Sequence, residues 1–474
     1  MAKDMGIVGF SRLYGTLIDL IMISVLTKSL GAYGYGLWTQ VLVFLPLFTM
    51  VLKFGTSFSI VRLFPEKDME EVGTDFSSIS ILVSLALFLF TVGLFLFPDL
   101  LADAIFDGHI ILVQILALLT FTYSLNGLFS SVFRAFREMK KLESINIAKN
   151  TAKISLIAIA VYLGYGLVGV LLSILLVLGV FSLVLFYLVR DKIPLKRPNI
   201  SPLKEYLSLG LPTVPAHLAE LTVIISDRYI IGLLLGATYV GYYAPAYSVG
   251  EIAPKFITGV LMVVLLPTLS DYYQEGNISK VKNVLTLSTK YFLSFAVPLI
   301  VGFIIIGKDF LTRFTTPEIA SNGYVILMLS SVVGLLMGLE GIFIQGVYLK
   351  KRTKLIGIFW GIAAVLNLAG NIIFVPRIGI LAAGITSILS YMVMTGFVMN
   401  FTRKKLSYSI DHQMIAKIVL SAVLMGFLLF IIRSYIWDSL SFLIAAAVST
   451  YLFFLYLFKI IGKKEIDFLK NIST

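Results

Sequence analysis

The stretch GLVGVLLSILLVLGVFSLVLFYLV, residues 166–189, holds no charged residue and no apolar–polar alternation. It exceeds the roughly 20 residues a helix needs to cross a hydrocarbon core of about 30 Å. In lipid a helix satisfies its own backbone polar groups, which an isolated extended segment cannot do. Barrel strands would show segments of about ten residues with strict alternation, and neither 171–187 nor 110–119 alternates. Similar runs recur to both ends of the chain and predict an all-α polytopic membrane protein. The expected spans are 7–29, 36–62, 76–98, 109–133, 146–164, 166–189, 206–235, 240–270, 288–307, 322–348, 355–375, 378–401, 414–433 and 438–461, about 14 in all.

Composition agrees. The 474 residues are 58% hydrophobic and 14% charged, with mean hydropathy +0.96. Soluble domains run near 45–50% apolar and about 25% charged. The chain has no cysteine, which excludes disulfides, thiolate metal sites and cysteine nucleophiles. The first span starts near Gly6 and lacks a short apolar core ending in a small-residue cleavage site, so a retained helix is expected.

The net charge of +12 is unevenly placed. One set of connections holds Arg134, Arg137, Lys140 and Lys141, then Arg190 to Arg197, Lys280 and Lys282, Lys350 to Arg352, and Arg403 to Lys405. The opposite set, including 31–35 and the acidic 99–107, holds Lys308, Arg313, Arg377 and Arg433. The positive-inside rule then puts both termini in the cytoplasm. The basic excess reads as topology and contact with anionic membrane lipids rather than nucleic-acid binding. Connections are short, leaving no room for an aqueous catalytic domain, so an enzyme is not expected.

Leu30-Gly31-Ala32 with Gly36 recurs as Leu235-Gly236-Ala237 with Gly241, an offset of 205. At an offset of 213, Lys141-Leu142 and Ile145 match Lys354-Leu355 and Ile358, and Gly166 matches Gly379. Two homologous six-helix lobes follow, 1–190 and 204–402, joined by a basic linker at 191–203 and followed by two further helices and a tail at 403–474. Duplicated lobes suit alternating access to a mid-bilayer site.

Asp227-Arg228-Tyr229-Ile230-Ile231-Gly232, followed by Leu235-Gly236-Ala237, Gly241-Tyr242-Tyr243, Ala246 and Pro267-Thr268-Leu269-Ser270, resembles the seventh and eighth helices of polysaccharide flippases. These belong to the multidrug/oligosaccharidyl-lipid/polysaccharide exporter superfamily. Leu26-Thr27-Lys28 through Arg62 is similar to the first-lobe counterpart. The resemblance implies a monomeric carrier in the plasma membrane. It would move an oligosaccharide linked to a polyprenyl or dolichyl (pyro)phosphate to the outer leaflet, through a cationic cavity between the lobes lined by the first, second, seventh and eighth spans. The helices after the repeat would cradle the lipid tail, and glycosyltransferases would be functional associates.

Ionisable groups inside spans cost roughly 2.5–3.5 kcal/mol on insertion scales and usually face a cavity or a partner. The candidates among them fall on the same four spans, Arg12 and Asp19 in the first, Lys53 in the second, Glu220, Asp227 and Arg228 in the seventh, Glu251 and Lys255 in the eighth, with Glu340 of the tenth a weaker one. Arg12, Lys53, Arg228 and Lys255 are candidates to receive a substrate phosphate, since a desolvated phosphate needs cations. The bland alternatives are a Glu251–Lys255 intrahelical pair, an Asp227–Arg228 tether, and snorkelling of Arg12. Asp19, Glu220, Asp227 and Glu251 are candidates for coupling to protons or sodium ions, with membrane potential the other energy source. No cofactor and no metal are expected. Pro212, Pro215 and Pro254 are hinge candidates or static kinks, and Trp38, Tyr242 and Tyr243 read as interface anchors.

Gly302 to Lys308 imitates the start of a phosphate-binding loop, but Asp309 replaces the required Ser or Thr and no strand precedes it. His109, His217 and His412 are too scattered for a metal cluster. Two rivals stand against the flippase. A multidrug or cation antiporter of the same superfamily should have an acid-dominated site, and a glycan polymerase or ligase should have a substantial outward catalytic loop.

Overall fold

The computed structural model describes residues 2–408, 411–435 and 439–460, with the side chains of 2–8, 10, 12, 13, 253, 260 and 263 outside the described residues. The helices are α1 (Ala2–Leu52), α2 (Thr56–Leu63), α3 (Met69–Leu96), α4 (Asp99–Ile105), α5 (Ile110–Ala135), α6 (Met139–Tyr162), α7 (Gly166–Lys192) and α8 (Leu203–Gly210). They continue as α9 (Val214–Leu235), α10 (Ala237–Gln274), α11 (Ile278–Phe314), α12 (Pro317–Leu349), α13 (Thr353–Ile378), α14 (Ile380–Leu406), α15 (His412–Tyr435) and α16 (Leu440–Leu457). Among the described residues the expected spans fall largely on helix, although 36–62 is broken by a turn at 53–55 between α1 and α2, and ten helices are long and apolar enough to cross a bilayer. The expected tail beyond residue 460 lies outside the described residues.

Local chemistry sets the helix ends. The Asp68 carboxylate accepts from the N–H groups of Glu70 and Glu71 at 3.0 and 2.9 Å, capping α3. Asn277, Thr316 and Ser439 cap α11, α12 and α16 in the same way. Inside the helices, hydroxyls such as Thr120 and Thr289 donate to the carbonyl four residues back, so they need no partner in lipid. Outward faces carry large apolar side chains, with Leu183 70% and Phe430 65% exposed. That is a surface built for hydrocarbon.

The chain divides into two compact units. The first comprises Met1–Ala244 and Trp360–Ala383, the second Pro245–Phe359 and Gly384–Thr474.

In the first unit, the two copies of the Leu-Gly-Ala repeat adopt the same backbone. Gly31 (φ 66°, ψ −174°) interrupts α1, and Gly236 (φ 91°, ψ 171°) separates α9 from α10. This region is nearly closed to any residue with a Cβ. The copies then pack on each other reciprocally. A Cβ on Gly36 would lie 1.8 Å from the Ala237 carbonyl oxygen, and a Cβ on Gly241 would lie 1.8 Å from that of Ala32. The crossing is therefore backbone on backbone.

A second apolar core in this unit joins α2, α3, α5 and α7 through Ile60, Phe64, Phe76, Phe129, Phe133 and Leu185. The segment after α7 is bound to it. Ser59 Oγ donates to the Tyr206 carbonyl at 2.7 Å, and the Tyr206 hydroxyl donates to Asp75 at 2.8 Å. Lys67 Nζ bridges Asp75 at 2.8 Å and Glu205 at 2.7 Å. Burial pulls the Lys67 ammonium down, but the bonds to Asp75 and Glu205 outweigh it and hold the group above its ordinary value. Asp75 is the hub, with its side chain 6% exposed. Removing one partner of a buried pair costs about 3–5 kcal/mol because the other charge is stranded. Asp75→Ala should therefore lower the thermal unfolding midpoint of the detergent-solubilised protein far more than Glu205→Ala, whose carboxylate is half exposed.

In the second unit, close helix contact again uses small residues. A Cβ on Gly338 would lie 1.9 Å from the Phe292 ring, and one on Gly346 would lie 2.2 Å from Thr402 Oγ1. Helices α15 and α16 lie on α11, where Ile305 and Ile306 meet Leu429 and Leu443. Arg433 closes this corner with Asp309 at 2.8 Å. Gly302–Lys308 sits within α11, so the phosphate-loop imitation is helical and offers no cradle of backbone N–H groups.

Candidate functional site

Arg228 is buried on α9 and pairs with its neighbour Asp227 at 3.1 Å, while donating to the Ile224 carbonyl at 2.9 Å. The Asp227 carboxylate also accepts from the Tyr243 hydroxyl at 2.6 Å. Tyr243 is fully buried, so it is a polar strut within the unit and not the interface anchor its position suggested. Beside it, Ser226 Oγ donates to Asn367 at 2.7 Å and Asn371 Nδ2 donates to the same oxygen at 3.0 Å. Both asparagines are completely buried, and together these groups form a polar seam between α9 and α13.

Lys255 pairs with Glu251 one turn back on α10. Asp19 is exposed on α1 and, with Arg228, lies within electrostatic reach of the buried Tyr35 hydroxyl. Glu220 is partly buried on α9, near His217, whose Nδ1 lies 2.8 Å from the Thr213 carbonyl. Pro212 lies in a 3₁₀ turn ahead of α9 and Pro215 at the helix start, where a missing N–H costs nothing. Pro254 lies inside α10 and packs against Gly334. The side chain of Arg12 lies outside the described residues.

Lys53 differs from these. Among the described residues its ammonium makes no hydrogen bond or ion pair, and its Nζ stands 2.9 Å from where a Cβ on Gly127 would be. The field it feels is that of a like charge, Arg134 of α5. Arg134 in turn feels Glu143 of α6, which also acts on Lys149 one and a half turns further along. Lys149 Nζ donates to Asn126 and Asn146 at 3.0 Å each, and Lys153 follows one turn on.

These groups converge for local reasons. Asn126 and Arg134 are eight apart on α5, and Asn146, Lys149 and Lys153 follow helical spacing on α6, so each set shares one face. Ser124 Oγ donates to Thr49 at 2.9 Å, and this α1–α5 bond brings Lys53 against Gly127, the neighbour of Asn126 in the chain. The Tyr14 hydroxyl and Thr151 Oγ1, 2.7 Å apart, bring α1 onto α6.

Four cations thus form a chain of neighbours in which one carboxylate, Glu143, acts on Arg134 and Lys149, and donors are left over. Asn126 is 5% exposed and its Nδ2 has no hydrogen-bond partner among the described residues, nor has the buried hydroxyl of Ser57. Buried polar groups are normally paired, so orphan donors beside excess positive charge describe a receptor for an anion with several oxygens. The sequence pattern pointed to Lys53 but missed Arg134, Lys149, Lys153 and Asn126. Arg134 was counted among the loop charges. Lys149 and Lys153, two lysines one turn apart inside an expected span, were the signal available.

Residues 1–273 match the family model described as polysaccharide biosynthesis protein. Over 238 residues, 49% of this chain, the sequence is 22% identical to a probable low-salt glycan biosynthesis flippase, Agl15, of Haloferax volcanii. Over 169 residues, 35% of this chain, it is 27% identical to a probable flippase, AglR, of the same organism. The matches span 50% and 34% of those relatives' lengths. The fold is similar to that of a lipid II flippase, MurJ, solved in an inward closed conformation, with TM-score 0.81 and 18% identity over 95% of this chain and 98% of that one. It is also similar to an inward-facing multidrug resistance MATE transporter of the MOP superfamily, with TM-score 0.69 and 18% identity over 83% and 94% of the two chains. With more than half its length matched by the family model, this multi-pass membrane chain belongs to the polysaccharide biosynthesis protein family.

Proposed function

We propose that the chain is a transporter that carries an oligosaccharide linked to a polyprenyl or dolichyl (pyro)phosphate from the cytoplasmic to the outer leaflet of the plasma membrane. The observation that carries this reading is the excess of cations at Lys53, Arg134, Lys149 and Lys153 beside the unpaired amide of Asn126. A phosphate leaving water loses its hydration, and charge-assisted bonds are roughly twice as strong as neutral ones. Family membership and the flippase names of the two archaeal relatives support the same reading.

The basic connections face the cytoplasm, so both termini lie there and the cation cluster stands toward the loading side. The lobes 1–190 and 204–402 alternate access by rocking, with 191–203 as the strap between them. Arg12 keeps its sequence-based candidacy for the same phosphate role, and Arg228 and Lys255 are later stations once released from Asp227 and Glu251. Asp19 and Glu220 are the coupling carboxylates for protons or sodium ions, with Glu220 partly buried on α9 and Asp19 exposed on α1. The protein acts as a monomer and receives its substrate from glycosyltransferases. A drug-cation antiporter fits less well, since a cationic substrate would be repelled where four cations outnumber one carboxylate.

Sealed vesicles containing the purified protein and a fluorescent lipid-linked oligosaccharide test the reading. Transfer to the leaflet accessible to an added glycosidase should accelerate in proportion to protein, and protein-free rates in loaded vesicles would contradict it.

A further inference from the structure

Glu143 stands in an unusual position. It is the carboxylate within reach of both Arg134 and Lys149, yet it forms a salt bridge with neither. Its Oε2 instead accepts from Ser11 Oγ of α1 at 2.7 Å and faces Asn146 Nδ2 at 3.4 Å. Ser11 is 6% exposed, so this bond between α1 and α6 is shielded on the α1 side. A carboxylate held off the cations by neutral donors neutralises their field without occupying the space between them. The same space is bordered by the orphan Nδ2 of Asn126 and by Lys53, which has no counter-ion of its own among the described residues.

We infer that Glu143 is the resident counter-ion of the empty site, and that an arriving phosphate takes over its role. This inference rests on the phosphate reading above. When the phosphate oxygens settle on Lys53, Asn126, Arg134 and Lys149, the cluster no longer needs the carboxylate, and two anions in one site repel each other. Glu143 then withdraws, and the Ser11–Glu143 bond that ties α1 to α6 is lost. Occupancy is thereby converted into release of the first half of α1. A ligand shifts a conformational equilibrium only through contacts that differ between the states, and this exchange of anions supplies such a difference. Glu143 is thus a positioning residue.

The chain contains no cysteine, so introduced pairs report cleanly. Tyr14 and Thr151, whose hydroxyl oxygens are 2.7 Å apart, mark the α1–α6 contact. With Tyr14→Cys and Thr151→Cys together, a short bifunctional maleimide that replaces the reach of the tyrosine ring should cross-link α1 to α6 readily, and millimolar inorganic pyrophosphate should slow that cross-link at least fivefold. Adding Glu143→Gln should make pyrophosphate bind about tenfold tighter, because its competitor is gone, while the cross-linking rate stops responding and translocation falls. Glu143→Asp, which keeps the charge but shortens the reach, should respond between the two. Unchanged cross-linking with pyrophosphate in the otherwise native background, or weaker pyrophosphate binding by Glu143→Gln, would overturn the counter-ion role. If vesicles show no glycolipid transfer while pyrophosphate still slows the cross-link, the transport reading falls and the anion exchange stands.

Discussion

Lys149→Gln is expected to slow translocation of lipid-linked oligosaccharide by roughly ten- to a hundredfold while leaving the protein folded. Lys149 is held between the side-chain carbonyls of Asn126 and Asn146, so its direction is fixed before any substrate arrives. A hydrogen bond to a charged group contributes about 1.5–3 kcal/mol, and each 1.4 kcal/mol is tenfold. Glutamine retains length and a donor but no charge. The cluster also loses internal repulsion, since Lys153 opposes Lys149, so thermal stability should hold or rise. Lys53→Gln should act similarly, because that cation is opposed by Arg134 and unpaired among the described residues. Initial rates in vesicles, read beside unfolding midpoints in detergent, separate loss of function from loss of fold. Lys255→Gln, removing a charge already paired within its own helix, should have the smaller effect.

Gly36→Val should disrupt the arrangement seen here more than any other single change in α1. The added Cβ would enter the Ala237 carbonyl, and neither partner is a flexible side chain that can turn aside. Overpacking a tight contact costs about 1–3 kcal/mol even where neighbours can adjust, and here two backbones must separate. Because Gly241 meets Ala32 in the mirror-related way, Gly241→Val should give the same phenotype. If the crossing closes one face of the carrier, parting it biases the protein toward the opposite access state. A bias of 3 kcal/mol is more than a hundredfold in population. Cysteines placed at Tyr33 and Tyr239, both exposed, should then label faster with an impermeant maleimide in Gly36→Val than in the parent. Equal labelling in a folded variant would count against a gating role for the crossing.

Hydropathy made the helices legible because lipid leaves the backbone one economical choice, and among the described residues the expected spans fall largely on helix. The repeat was legible through Gly31 and Gly236, whose shared backbone geometry only glycine tolerates well. The candidate site was less so. Positive charge near a span end carries two messages, topology and chemistry, and Arg134 was spent on the first. Spacing shows which residues share a face of one helix but not which faces meet, so Lys53 could not be connected to Asn126 across more than 70 residues. Conversely, Arg228 and Lys255 looked like free cations because a sequence does not show that Asp227 and Glu251 hold them. Tyr243 misled for a similar reason. An aromatic near a span end usually seeks the interface, and here its hydroxyl is needed by a buried carboxylate.

The central claim is that the substrate's phosphate rests among Lys53, Asn126, Arg134 and Lys149. A lipid-linked oligosaccharide carrying a photoreactive group beside the phosphate, bound to the protein and illuminated, tests it directly by peptide mapping. The account predicts adducts on 123–134 of α5 and 146–153 of α6, lost when excess unlabelled substrate is present and weakened in Lys149→Gln. Specific adducts confined to α10 around Glu251 and Lys255, with α5 and α6 unmarked, would contradict it.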